Sequence, residues 1–318
     1  MPDIAVGLKA NKKNAYKKET LGQHIMKHKW MYIFLIPGVL YYLVFHYAPM
    51  YGILIAFKDF NIYKGIMGSQ WVGLEHFERL FRSSEFYTIL RNSLVINVYK
   101  LVFGFPAPII MALLLNEIRN VFFKRTIQTV IYLPHFISWV VVSGLVVSFL
   151  SPSSGVVNLI LKNMGFEPIF FLAKKEYFRG ILVASGIWKE MGWGTVVYLA
   201  ALSGVDPQLY EAARVDGASR WKQTFHITLP GISTTIVVLL LLRLGNILDN
   251  GFEQVFMLYN PAVYEVGDVF ETYVYRMGLV DARFDFSTAV GLFKSVIGAT
   301  LLLSTNYLSK KITDKGLY

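Results

Sequence analysis

Long apolar runs are the sequence feature that most constrains the fold. A helix needs about 20 apolar residues to cross about 30 Å of hydrocarbon. Six stretches reach that length, at residues 30–57, 92–115, 127–150, 180–202, 229–248 and 289–308. Apolar residues make up 54% of the 318-residue chain and charged residues only 16%, against about a quarter in soluble domains. The pattern predicts an all-α integral membrane protein with six transmembrane helices.

Charged residues and prolines interrupt several of the runs. Lys189 and Glu190 lie in the middle of the fourth run, and Pro106 and Pro108 lie inside the second. A proline removes a backbone donor and kinks a helix. These prolines are either ordinary bends that neighbouring helices tolerate or a hinge that opens a pathway.

The distribution of Lys and Arg predicts the orientation. The net charge of +10 suits lysines on the cytoplasmic side of a membrane protein better than nucleic-acid binding. Lys and Arg are denser in the two tails and in the loops after the second and fourth runs than in the other loops. We therefore expect a multi-pass membrane protein with both termini in the cytoplasm. Residues 1–29 form a basic tail, residues 30–308 the membrane domain and residues 309–318 a second tail.

Residues for catalysis are not evident in the sequence. Cysteine is absent, which excludes disulfides, cysteine metal sites and a thiol nucleophile. The chain has no Gly-Lys dipeptide and hence no P-loop, and no G-x-S-x-G elbow. The segment Gly192-Trp193-Gly194 lacks the third glycine of a dinucleotide fingerprint. We expect no catalytic residue, no metal site and no bound cofactor.

The loop between the fourth and fifth runs, residues 206–230, has the pattern of a compact helix–turn–helix. Asp206 can cap a helix that begins at Pro207, and alanines then favour the helical state. Gly217 can end that helix in the left-handed conformation, and a second short helix follows from residue 218 to about 225. Pro230 restarts a helix at the membrane.

Physically this loop is suited to docking another protein. Small alanines allow close approach, aromatic side chains supply apolar anchors, and charged side chains orient the contact. The candidate docking residues are Tyr210, Glu211, Ala212, Ala213, Arg214, Asp216, Gly217, Ala218 and Trp221.

At these residues the chain resembles a known family. The E-A-A triplet at 211–213, the D-G-A triplet at 216–218 and the I-x-L-P motif at 227–230 resemble the EAA loop of binding-protein-dependent ABC import permeases. The resemblance implies a type I ABC importer permease fold in a bacterial cell membrane, in which this loop is a cytoplasmic coupling helix that inserts into a separate ATPase. ATP binding then closes two ATPase copies and tilts the membrane helices.

Other segments resemble the sugar-permease branch of that family. They are Phe34-Leu35-Ile36-Pro37-Gly38, residues 71–77, Arg91-Asn92-Ser93 and Tyr132-Leu133-Pro134. Within the branch the chain looks most similar to permeases for oligosaccharides released from pectic or uronate-containing polysaccharides. The resemblance implies a second, related permease chain, two cytoplasmic ATPase subunits that bind ATP and magnesium, an extracytoplasmic solute-binding protein and a sugar substrate.

Polar and ionisable residues inside the runs are candidates for a substrate pathway. They are Asn97, Lys100, Trp188, Lys189, Trp193, Arg243, Asn246 and Asn250. Helical spacing puts Asn97 and Lys100 on one face, and Arg243, Asn246 and Asn250 on another face together with Glu253. Tyr198 and Lys294 are further candidates.

Each of these residues has an alternative interpretation. The lysines can snorkel or pair with acids on neighbouring helices, Asn and Ser can join adjacent helices, and the aromatic residues can anchor at the interface.

The function predicted from these features is a non-enzymatic ABC importer subunit that forms half of an oligosaccharide pathway. One alternative is a self-contained secondary transporter, although internal repeats typical of that class are not evident. A second alternative is a polytopic membrane enzyme, for which no convergent catalytic set is present.

Overall fold

The structure is a computed structural model that describes Gly22 and residues 26–313. Most of the predicted basic tail (1–29) and the end of the second tail (314–318) therefore lie outside the described residues. Contacts divide the chain into two compact units, residues 1–52 and 53–318, and each is described by itself.

The described residues are mostly helical. Helices of seven residues or more are α1 (Lys29–Tyr42), α2 (Glu75–Arg82), α3 (Ser84–Tyr99), α4 (Pro106–Glu117), α5 (Val121–Tyr132), α6 (Trp139–Leu150), α7 (Val156–Asn163), α8 (Lys175–Ser203), α9 (Pro207–Val215), α10 (Ser233–Gly245), α11 (Phe252–Leu258) and α12 (Phe284–Thr313). Shorter α-helices are Ala48–Met50, Gly65–Gly68, Arg220–Gln223, Leu229–Gly231, Tyr264–Gly267 and Phe270–Tyr275.

Irregular helical turns join many of these helices. The π-helical segments are Leu43–Tyr47, Lys100–Gly104, Thr224–Thr228 and Arg276–Val280, and the 3₁₀ segments are Tyr51–Phe57, Leu133–Phe136, Phe171–Ala173 and Pro261–Val263. Two short strands, β1 (Lys58–Asp59) and β2 (Gln70–Trp71), pair antiparallel with Lys58 opposite Trp71.

Three continuous helices among the described residues are long and apolar enough to cross a membrane. They are Lys29–Phe57, Ser84–Glu117 and Phe284–Lys311, and they correspond to the first, second and sixth predicted spans. Two bent pairs raise the number to as many as five if each pair is one span. They are Val121–Phe136 with Trp139–Leu150, bent by 101°, and Arg220–Gly231 with Ser233–Gly245, bent by 60°.

The fourth and fifth predicted spans differ from the expectation. The fourth corresponds to α8, a single 29-residue helix that is absent from the set of sufficiently apolar helices because polar residues interrupt its middle. The fifth was predicted to continue to residue 248. Helix α10 instead ends at Gly245, and the chain turns through residues 246–250 before α11 begins.

Helix α8 lies at the centre of residues 53–318 and contacts α4, α5 and α10. Buried side chains on it join two apolar clusters, one with Phe178 and Leu182 and one with Tyr198 and Leu202. Tyr198, a pathway candidate, is therefore a core residue. Gly192 faces α5 so closely that a Cβ there would lie 1.8 Å from the main-chain oxygen of Ile131. The glycines of the 192–194 segment thus serve helix packing.

Candidate functional site

A cavity of about 610 Å³ opens among α8, the π-helical segment Lys100–Gly104 and the turn after α10. Its volume falls in the range of about 300–1,000 Å³ that is typical of ligand sites. The polar and aromatic residues that line it are Lys100, Phe105, Trp139, Glu190, Trp193, Arg243, Asn246, Asp249, Asn250 and Gln254.

The turn after α10 brings one group of predicted pathway residues to this cavity. The spacing had predicted that Asn246 and Asn250 share a helical face with Arg243. They do not, because the helix ends before them. Gly251 has a φ of +76°, a conformation that glycine adopts without steric cost, and it reverses the chain into α11. Asn250 is buried, and its N–H donates to Oε1 of Glu271 at 3.2 Å. Asn246 and Asn250 reach the cavity through this turn, and Arg243 reaches it from α10 itself.

Lys100 is bound to the chain that forms the turn. Its Nζ donates to the main-chain oxygen of Asn250 at 2.7 Å and to Oε1 of Gln254 at 2.8 Å. Asn97, one turn earlier on α3, is buried and donates to Oδ1 of Asn250 at 2.7 Å. Asn97 therefore lies behind the cavity wall, where it joins α3 to the turn.

Arg243 is a second cation in the cavity lining, and it differs from Lys100 in its hydrogen bonding. Its side chain is exposed, and among the described residues its guanidinium donates no hydrogen bond. Asn246 is also exposed, and its side-chain amide donates to the carbonyl of Leu242. A guanidinium presents five donors in a planar fork that matches a carboxylate. The cavity therefore holds an arginine with its donors available.

Two predicted pathway residues on α8 do not line the cavity. Lys189 is buried, and its Nζ donates to the main-chain oxygen of His135 at 2.8 Å and lies over the ring of Trp139 at 5.5 Å. Trp188 is half exposed and lies outside the lining. For Lys189 the structure favours the alternative interpretation, a lysine satisfied by neighbouring elements. Lys294 pairs in the same way with Glu271.

Among the polar and aromatic lining residues, five were missed from the sequence, namely Phe105, Trp139, Glu190, Asp249 and Gln254. Glu190 and Asp249 are ionisable residues in or at the end of an apolar run, and that signal was available. Phe105, Trp139 and Gln254 carry no such signal, and only tertiary packing, including that of α11 against α6 and α8, places them at the cavity.

The coupling segment, residues 206–230, folds as its local signals predict. Oδ1 of Asp206 accepts from the N–H of Gln208 at 2.9 Å, and α9 begins at Pro207. Gly217 has a φ of +75°, and the N–H of Ala218 donates to the carbonyl of Ala213 at 2.8 Å. The second helix is shorter than expected, Arg220–Gln223, and continues as the π-helical segment Thr224–Thr228.

Two candidate docking residues contact their own chain. The hydroxyl of Tyr210 donates to Oγ1 of Thr228 at 3.0 Å, so this half-buried ring joins the two arms of the segment and is not an exposed anchor. Nε of Arg214 donates to the carbonyl of Tyr210 at 3.2 Å. Arg220, a residue outside the predicted set, pairs with Glu117 at the end of α4 with an N–O distance of 2.9 Å.

The remaining surface of the coupling segment is open. Glu211, Ala212 and Asp216 are exposed. Trp221 is 74% exposed and stacks on Phe225 with a centroid distance of 6.3 Å. The exposed apolar residues that the sequence analysis missed are Leu209, Val215 and Phe225. An exposed aromatic pair beside a charged helix has the composition of a protein-binding surface.

Comparison with known families gives one match that covers most of the chain. The family described as binding-protein-dependent transport system inner membrane component matches residues 104–314. That range contains the coupling segment and all of the cavity lining except Lys100.

Individual relatives match nearly the whole length. The chain is 48% identical to the protein LplB of Bacillus subtilis (strain 168) over 294 residues, which are 92% of either chain. It is 47% identical over 302 residues to the polygalacturonan/rhamnogalacturonan transport system permease protein YteP of the same organism, covering 95% of this chain and 94% of the other.

A solved structure matches the fold. It is a bacterial alginate ABC transporter in complex with an alginate pentasaccharide-bound periplasmic protein, and one of its chains is 45% identical to this one. The TM-score is 0.86, and the match covers 94% of this chain and 100% of that chain.

Proposed function

The chain belongs to the binding-protein-dependent transport system inner membrane components and is a transmembrane subunit of an ABC importer, and from this membership we propose that its cavity passes an acidic oligosaccharide received from a solute-binding protein. The YteP relative is named for polygalacturonan and rhamnogalacturonan transport, and the solved relative for alginate. Those names describe uronate-containing polysaccharides, and this chain resembles both proteins over nearly its whole length.

Arg243 is the observation that carries the proposal. A guanidinium in a partly apolar cavity favours a hydrogen-bonded counter-charge. Arg243 interacts electrostatically with the carboxylate of Asp249 but donates no hydrogen bond to any residue that the structure describes. Lys100 is less available, because two oxygens of its own chain occupy its ammonium group. Arg243 is thus the group best placed to receive a uronate carboxylate as a bidentate pair.

The two cavity carboxylates are held by their own chain. Glu190 lies 2.8 Å from Nδ1 of His135 and 3.2 Å from Nζ of Lys189. Oδ1 of Asp249 accepts the N–H of Gly251 at 3.0 Å. The Lys189 contact offsets the negative charge of Glu190, so an anionic sugar does not meet an uncompensated carboxylate at that residue, and the charge of Asp249 is partly balanced by Arg243 itself.

Energy for transport is proposed to enter at the coupling segment. The chain itself then catalyses no reaction, and ATP and magnesium bind to a separate ATPase that docks on the exposed surface around Glu211, Asp216 and Trp221. The complete importer contains a second, related permease chain and two ATPase copies, and both termini of this chain face the cytoplasm. A self-contained secondary transporter needs neither a binding protein nor an ATPase, so the family membership argues against that alternative.

The test is uptake by the reconstituted importer with Arg243→Ala. Loss of a hydrogen-bonded charge pair costs about 1.5–3 kcal/mol, so uptake of a galacturonate oligomer and sugar-stimulated ATP hydrolysis should fall about ten- to hundredfold. Assembly of the complex should persist, because the Arg243 side chain is exposed. Arg243→Lys should retain part of the activity as a charge-preserving control. Unchanged uptake in Arg243→Ala would show that the cavity does not take acidic sugars at this residue.

A further inference from the structure

The imidazole of His135 contacts two side chains of the cavity wall while it lies outside the lining itself. Its ring is parallel to the indole of Trp193, with a centroid distance of 4.7 Å and an interplanar angle of 3°. Its Nδ1 lies 2.8 Å from Oε2 of Glu190. Glu190 and Trp193 are three residues apart on α8, so they share a helical face. The His135 side chain therefore fixes both the plane of the Trp193 indole and the direction of the Glu190 carboxylate.

His135 is itself fixed at a break in the helical structure. It lies in the 3₁₀ segment Leu133–Phe136, between α5 and α6, where the chain bends by 101°. The buried Lys189 donates from Nζ to the main-chain oxygen of His135 at 2.8 Å, and the same Nζ lies 3.2 Å from Oε1 of Glu190. Helix α8 therefore contacts both the main chain and the side chain of His135 and stabilises the bend between α5 and α6.

The two wall residues offer complementary chemistry to a sugar ring. One face of the Trp193 indole is covered by His135, yet 47% of the residue remains exposed and it lines the cavity. An aromatic face carries negative charge density and attracts polarised C–H groups, such as those on one side of a pyranose ring. A carboxylate accepts hydroxyl hydrogens at its remaining lone pairs. Glu190 is about half exposed beside that indole.

We propose that His135 is a positioning residue that sets Trp193 and Glu190 as one pyranose subsite, with the indole under the ring and the carboxylate on a hydroxyl. The inference rests on the proposed function, since it takes the cavity as the sugar site. It adds a subsite for the ring and its hydroxyls, separate from the carboxylate contact at Arg243. A parallel aromatic neighbour and a hydrogen bond keep both groups in place before sugar arrives, which lowers the ordering cost of binding.

The experiment uses the complete importer in proteoliposomes, with solute-binding protein and a trimer of galacturonate. In His135→Ala, loss of an aromatic pair worth about 0.5–1.5 kcal/mol should raise the half-saturating sugar concentration about two- to twelvefold. The maximal rate of sugar-stimulated ATP hydrolysis should be retained. His135→Phe keeps the stacking and His135→Gln keeps an amide donor toward Glu190, so each should restore part of the apparent affinity. Val196→Ala, on the exposed surface of α8 outside the lining, is the matched control.

The outcomes separate this inference from the proposed function. An unchanged half-saturating concentration in His135→Ala overturns the positioning role, as does a lower maximal rate with unchanged half-saturation, which indicates a structural role only. If the wild-type importer responds to a neutral oligosaccharide and not to the galacturonate trimer, the acidic substrate is wrong, and the His135 variants are compared with the neutral sugar. A wild-type importer that responds to neither sugar overturns both proposals.

Discussion

Nζ of Lys100 donates to the main-chain oxygen of Asn250 at a distance of 2.7 Å. The contact joins the π-helical segment Lys100–Gly104 to the turn after α10. Lys100 also donates to Gln254 on α11. A π-helical turn within a longer helix often marks a functional site, and here the lysine at its start holds the turn that carries Asn246 and Asp249 to the cavity.

We expect Lys100→Met to destabilise the protein as well as to reduce transport. The substitution leaves the carbonyl of Asn250 and the side-chain oxygen of Gln254 without their shared donor, and an unsatisfied buried group costs about 1–3 kcal/mol. Two quantities are measured, the thermal unfolding midpoint in detergent and the uptake rate of the reconstituted importer. Arg243→Ala is the contrast, because it should lower uptake without lowering the midpoint. Equal midpoints for Lys100→Met and the wild type would contradict the bracing role of Lys100.

Gly217→Val should uncouple the protein from its proposed ATPase. The φ of +75° at this position costs an L-residue roughly 1–2 kcal/mol, and a β-branched side chain more. The turn between α9 and the second helix of the coupling segment should then change its direction. Capture of the ATPase by the tagged permease, and ATP-driven uptake, are expected to fall.

Gly217→Asn provides the control for that experiment, since asparagine tolerates the left-handed conformation better than other residues. It should keep most of the capture and uptake. Wild-type activity in Gly217→Val would refute a coupling role for this turn.

Gly192→Ala should lower the stability of the membrane domain. A Cβ at this residue would lie 1.8 Å from the main-chain oxygen of Ile131, so α8 and α5 must separate. Overpacking of this kind costs about 1–3 kcal/mol. Gly180→Ala is the matched control on the same helix, because nothing lies within 4 Å of its Cβ position. A thermal midpoint for Gly192→Ala equal to that of Gly180→Ala would be inconsistent with the close helix approach.

Features that depend on residues a few positions apart were predicted more closely than features that depend on contacts between distant parts of the chain. The coupling segment was predicted closely, since the cap at Asp206 and the left-handed turn at Gly217 each involve residues a few positions apart. The fifth span was predicted too long. Apolar content continues to Leu248, but α10 ends at Gly245, where a Cβ would lie 2.4 Å from the Leu302 side chain on α12. That approach depends on a helix more than fifty residues away.

The amino-acid sequence by itself determined the helical membrane class, the local fold of the coupling segment and the family resemblance, because apolar run length, capping residues and a short motif are local properties. The tertiary structure decided which polar residues reach the cavity. Asn97 and Lys189 were candidates by residue type, yet both are buried and bonded to other elements. Glu190 reaches the cavity, held there by His135. The side-chain partners that satisfy a polar group inside the membrane domain come from distant parts of the chain, and only packing brings them together.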